Sequence, residues 1–113
     1  MSRSKQAVQN QPRRGDIWLA DIAGDKIRPI VIMTKNAVIV HLHSVIVAPI
    51  TSTIRNIPTE VRLGIDEGLL HDSVANFDNL QLLPKRWLIR KIGELGVLKL
   101  NEACQSINHA TGC

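Results

Sequence analysis

The sequence predicts a mainly β domain finished by one C-terminal helix. Three features carry this expectation. Between residues 15 and 83, short runs rich in Val and Ile are separated by turn-forming segments such as AGDK and the acidic stretch 64–72, which is the spacing of consecutive strands. From Gly96 the period changes, with Leu100, Ala103, Cys104, Ile107 and Ala110 at the i, i+3, i+4 spacing of an amphipathic helix. The chain has 113 residues, enough for a single compact core and little more. Its aromatics are only Trp18, Phe77 and Trp87, so that core is mainly aliphatic. A small, strongly bent β-barrel or sheet follows.

The elements can be justified in chain order. GDIWLADI (15–22) mixes polar and apolar residues as a half-buried strand does. AGDK is a tight connection carrying Gly24, and RPIVIMT (28–34) is β-branched, so the first two strands read as a hairpin. Residues 35–44 fit either a short helical turn or more strand. SVIVAPI (44–50) is a third strand, apolar on both faces and therefore central, in which Pro49 marks an edge or a bulge. IPTEVRL (57–63) alternates as a fourth strand, the chain reverses through 64–72, and SVANF and NLQLL supply two more short strands within 73–83. Gly96 and Gly112 bracket the helix.

Charge and cysteines narrow the function classes. The formal net charge is +4, yet Arg3, Lys5, Arg13 and Arg14 supply all of it within the first 14 residues; the rest balances ten Lys and Arg against ten Asp and Glu. Binding of nucleic acid must then come from a local patch and not from a general positive field. Residues 1–12 read as a flexible basic extension and 13–113 as the folded domain. The opening residues lack the apolar centre of a signal peptide, and no apolar run is long enough to span a bilayer. Cys104 and Cys113 suggest neither a disulfide framework nor a zinc site. The expectation is a cytoplasmic protein with no membrane association.

Two places call for chemistry. VIVAPITSTIRN (45–56) passes from an apolar strand into Thr51, Ser52 and Thr53, with Arg55 just behind. Those hydroxyls either satisfy a turn backbone or enter a solvent-facing loop, and bulges often redirect side chains beside active sites. Arg28 opens a core strand and precedes Pro29, which biases it toward extended backbone. Its guanidinium either pairs with Asp16, Asp21 or Asp25 or faces an anion. His41 and His43 would share one strand face, but no third or fourth metal ligand accompanies them. His71 sits beside Asp72 in the acidic turn.

RGDIWLADI, RPIVIM, VIVAPITSTIR, IPTEVRL, HDSVANFDNL and RWLIRKIGEL stand in an order and spacing that resembles the MazF/PemK toxins of bacterial toxin–antitoxin systems, over about residues 13–110. The resemblance implies an SH3-like (MazF/CcdB-type) β-barrel with a C-terminal helix, forming a homodimer. It also implies a metal-independent endoribonuclease that cleaves single-stranded RNA at preferred sequences and is held by a cognate antitoxin. No cofactor is expected. By position, Arg28 matches the family's catalytic arginine and Thr51 its catalytic hydroxyl. Ser52, Thr53 and Arg55 become RNA contacts, and Asp78 matches an acid that some PemK-type members use. Arg62, Lys85, Arg86 and Arg90 are further cations for RNA. The chain departs from the family twice. Asn76 stands where an arginine would partner Asp78, and the first hairpin loop is short, with Asp25 its only acid. No residue is assigned as general base. Two other readings compete: a CcdB-type toxin that binds gyrase, and a non-catalytic RNA-binding barrel.

Overall fold

The computed structural model describes residues 11–24 and 26–112. The basic extension lies largely outside them; Pro12, at its end, is buried. Seven strands follow in order: β1 (Asp16–Ile22), β2 (Lys26–Ile32), β3 (Ser44–Thr51), β4 (Glu60–Leu63), β5 (Ser73–Asn76), β6 (Gln81–Pro84) and β7 (Leu88–Glu94). A single helical turn, α1 (Asn36–Ile39), lies between β2 and β3, and α2 (Val97–Thr111) ends the chain. Every pairing is antiparallel, and the strand path is β4-β5-β3-β2-β1-β7 with β6 alongside β3.

β3 organises the sheet. One edge pairs with β2, and the other is shared between β6, along Ser44–Val47, and β5, at Ile50 and Thr51. The handover falls at Ala48 and Pro49, where a residue without a backbone N–H is least costly. Side chains alternate along a strand, so β3 feeds two clusters. Val45 and Val47 pack with Trp18, Ile30, Ile32 and Ile39, whereas Ala48 and Ile50 pack with Ile17, Val61, Phe77 and Ala103 of α2. The core is aliphatic around one buried Phe77 and one buried Trp18.

The expected SH3-like barrel is not formed: the sheet stays open. Its two end strands, β4 and β7, carry no ladder between them among the described residues. After β4 the chain winds into a 3-10 turn (Ile65–Glu67), and that turn abuts β7. A Cβ built on Gly93 would overlap the Glu67 carbonyl oxygen and lie 3.2 Å from the Gly68 Cα. The sheet curls until its ends touch, but the turn occupies the place a closing ladder would need.

Two further expectations are corrected. β7 pairs with β1 along most of its length, yet only six strands were expected, because LIRKIGE is a largely exposed, charged edge from which only Leu88 and Ile92 pack against the core. In α2, Cys104 and Ala110 face solvent; burial falls instead on Ala103 and Ser106, with Leu100 and Ile107 partly covered. Gly96 and Gly112 do cap the helix, Gly112 at φ 73° with its N–H on the Asn108 carbonyl.

Candidate active site

The β2–β3 register pairs Ile30 with Pro49 and Ile32 with Val47. Continued two residues beyond the last ladder pair, it sets Arg28 opposite Thr51. Both therefore continue the face that carries Ile30 and Val47, at the point where the core ends and solvent begins. An open cleft of about 370 Å³ lies there, lined by Arg28, Thr51, Thr53, Arg55, Asn76 and Gln81 among others. One strand face thus runs from buried core into a polar cleft, and the change of composition at Thr51 marks the boundary.

Arg28 is exposed, and its guanidinium makes no hydrogen bond or ion pair with another described residue. Of the acids considered as partners, Asp16 is buried and bound elsewhere: it pairs with Lys91 at 3.2 Å and accepts from Trp18 Nε1 at 3.3 Å and Arg13 N at 2.8 Å. Asp25 lies outside the described residues. Thr51 Oγ1 accepts the backbone N–H of Thr53 at 3.2 Å, which leaves its hydroxyl proton free to donate. Thr53 lines the cleft, whereas Ser52 is exposed and does not.

Arg55 is placed differently from Arg28. Its Nε donates to Glu60 Oε2 at 2.7 Å, and its Nη2 reaches Asn76 Oδ1 at 3.2 Å and Asp78 Oδ2 at 3.3 Å. The Glu60 hydrogen bond, with the charges of Asp78 and Glu60, holds the guanidinium proton more tightly than usual. Burial disfavours the Glu60 charge, but hydrogen bonds from the Arg55 side chain and from the Arg55 and Asn56 backbone outweigh it, so its carboxyl lies below the ordinary range. Asp78 accordingly faces Arg55, outside the cleft lining. Position 76 carries an asparagine, and the arginine that meets Asp78 is Arg55.

Two carboxylates balance Arg55, so Arg28 is the cleft's unpaired cation among the described residues. The other predicted cations are not gathered there. Arg62 donates to Asn56 Oδ1 at 3.3 Å, and Lys85 and Arg90 border a separate cleft beside Trp18 and Leu88. Arg86 lies outside both clefts. His71 lines a further cleft over Leu19 and Pro29, on the face of β2 opposite Arg28. His41 and His43 are exposed after α1, with no cluster of three or more metal-ligating side chains among the described residues. The amides of Asn76, Asn79 and Gln81 were not anticipated as cleft residues. Their concentration in NFDNLQ was the available signal.

The fold and this cleft define a class. The sequence model of the PemK-like, MazF-like toxins of type II toxin–antitoxin systems matches residues 13–111, and the chain belongs to that family. Within it, the chain is 35% identical over 102 residues to a Mycobacterium tuberculosis protein named probable endoribonuclease MazF2, covering 89% of this chain and 99% of that one. Among solved structures, the Mycobacterium tuberculosis toxin MazF-mt6 superposes with a TM-score of 0.80 at 38% identity, over 86% of this chain and 96% of the other. A mycobacterial endoribonuclease solved with its cognate antitoxin superposes with a TM-score of 0.81 at 31% identity, over 89% and 95% of the two chains. No helix among the described residues is long and apolar enough to cross a membrane.

Proposed function

We propose that this chain is the endoribonuclease toxin of a type II toxin–antitoxin pair and that it cleaves single-stranded RNA at the Arg28–Thr51 cleft. The observation that carries the reading is a guanidinium without a partner among the described residues, lining one cleft with a hydroxyl whose proton is free. Family membership and relatives named as endoribonucleases support it.

The reaction supplies its own nucleophile. The ribose 2′-oxygen attacks the adjacent phosphorus, the bond to the 5′-oxygen breaks, and the products carry a 2′,3′-cyclic phosphate and a 5′-hydroxyl. The 2′-hydroxyl loses its proton and the departing 5′-oxygen gains one. What the protein must provide is in-line orientation and stabilisation of negative charge on the phosphoryl oxygens. Arg28 serves the charge with a fork of N–H donors. Thr51 adds a neutral donor to a non-bridging oxygen. The Arg28 guanidinium does here what a metal would do elsewhere, so the reading includes no metal. DNA lacks the nucleophile and is left intact.

Sequence preference, a homodimeric assembly, cytoplasmic location and a cognate antitoxin belong to the same proposal. The antitoxin is supported by the relative solved with one. The test is direct. Purified protein is incubated with a long single-stranded transcript in excess EDTA, and fragment ends are analysed. Cyclic-phosphate ends at a restricted set of sites are expected. An intact transcript, or inhibition of gyrase supercoiling instead, would overturn the reading; the relatives give the gyrase-binding alternative no support.

A further inference from the structure

The segment between Thr51 and β4 has no helix or strand of its own, yet it carries Arg55 into the cleft. Such a loop places a cation reproducibly only if something holds it. Glu60, the first residue of β4, is the group that does so. Its side chain retains 1% of its accessible surface. Both oxygens are taken up by the loop: Oε1 accepts the backbone N–H groups of Arg55 at 2.9 Å and Asn56 at 3.0 Å, and Oε2 accepts Arg55 Nε at 2.7 Å. Asn56 adopts φ 58°, a left-handed conformation that is uncommon outside glycine. The two N–H groups converge on Oε1 through that turn, so the carboxylate fixes backbone and guanidinium together.

We infer that Glu60 is a positioning residue for RNA binding, acting through Arg55 and not on the substrate. The inference rests on the endoribonuclease reading and extends it to a residue that touches no substrate. A buried carboxylate is stable only when paired and hydrogen-bonded. Here the pairing also sets the direction of the guanidinium, leaving Nη2 between Asn76, which lines the cleft, and Asp78 just outside it. A cation ordered in advance loses less side-chain freedom when a phosphate arrives. Asp78 holds the outer nitrogen until then, and the incoming phosphate oxygen takes its place.

Four proteins test this on one transcript whose cleavage sites have first been mapped with the wild type: E60Q, E60A, R55A and the double variant E60A/R55A. Glu60→Gln can keep its amide oxygen on the two backbone N–H groups and then turns an N–H₂ toward Arg55, so it disturbs the guanidinium more than the fold. Thermal melts and amide exchange at Arg55 and Asn56 follow the loop independently of activity. The expected result is a KM raised about tenfold, the scale of one hydrogen bond to a charged group, in E60Q and E60A. The kcat should change much less, and Glu60→Ala should add nothing to KM in the R55A background. Additive losses, or an unchanged KM in E60A with its loop amides deprotected, would overturn the inference. If the wild type leaves the transcript whole, it is the endoribonuclease reading that fails, and the inference falls with it.

Discussion

Replacing Gly93 by alanine tests the contact that keeps the sheet open. The new Cβ would overlap the Glu67 carbonyl oxygen and stand 2.7 Å from its carbon and 3.2 Å from the Gly68 Cα. These are backbone atoms, so no flexible side chain can swing aside. Either β7 or the 3-10 turn must withdraw by about an ångström, and neither is loose. Gly93 sits opposite Ile17, which is fully buried, while the turn is tied by Gly68 N to Ile65 O at 3.0 Å and Leu69 N to Gly64 O at 3.1 Å. Moving the turn also lifts Leu69 from the core, where it is 8% exposed. Overpacking of this kind costs about 1–3 kcal/mol, and with Leu69 partly uncovered the upper end applies. For a domain of this size each kcal/mol lowers Tm by about 4 °C, so a loss of about 12 °C is expected. Gly96→Ala is the control: nothing lies within 4 Å of its added Cβ, and as a helix N-cap the change should cost under about 1 kcal/mol. Thermal unfolding followed by circular dichroism reads both. A Gly93→Ala protein melting within about 3 °C of wild type, under 1 kcal/mol, would refute the contact.

Arg28→Ala should lower kcat on RNA by about 10²–10³, the scale of losing one preorganised donor to a developing oxyanion, with the melting curve unchanged; equal activity would move the chemistry elsewhere. Thr51→Ala removes a neutral donor and should cost less, about tenfold in kcat/KM, measured on the same RNA. Asp16→Ala strands the Trp18 indole N–H and the Arg13 amide, and should destabilise by about 1–3 kcal/mol, seen in urea unfolding with a shifted tryptophan emission. Because the Glu60 carboxyl titrates below its ordinary value of 4.5, its contribution is present above that pH and is lost as pH falls through the lowered value. Arg55 and Asn56 amide shifts recorded down a titration from pH 6 should stay constant to about 4.5 and then move; a midpoint above 4.5 would contradict the pairing.

Much of the fold was legible because it is written in periodicity. Val45, Val47, Ala48 and Ile50 announce a strand covered on both faces, and Leu100, Ala103 and Ile107 announce a helix with one buried stripe. β7 was not legible, since Arg90 and Lys91 on an exposed edge carry no burial pattern. Arg28 and Thr51 were recognisable as candidates from resemblance, but their meeting at one cleft is a property of how the strands pair.

What the sequence by itself determined is six of the seven strands and the C-terminal helix around an aliphatic core, and the family to which the chain belongs. These rest on local patterns, and a pattern of burial survives in one dimension. The tertiary structure alone decided three things: that the sheet stays open, that Arg28 has no partner in the cleft among the described residues, and that Arg55 is bound by Glu60 and Asp78. Each depends on residues far apart in the chain, Gly93 against Glu67 or Arg55 against Asp78. Contacts at that separation are set by how strands are paired and curled, and composition does not encode which of several carboxylates a guanidinium will meet.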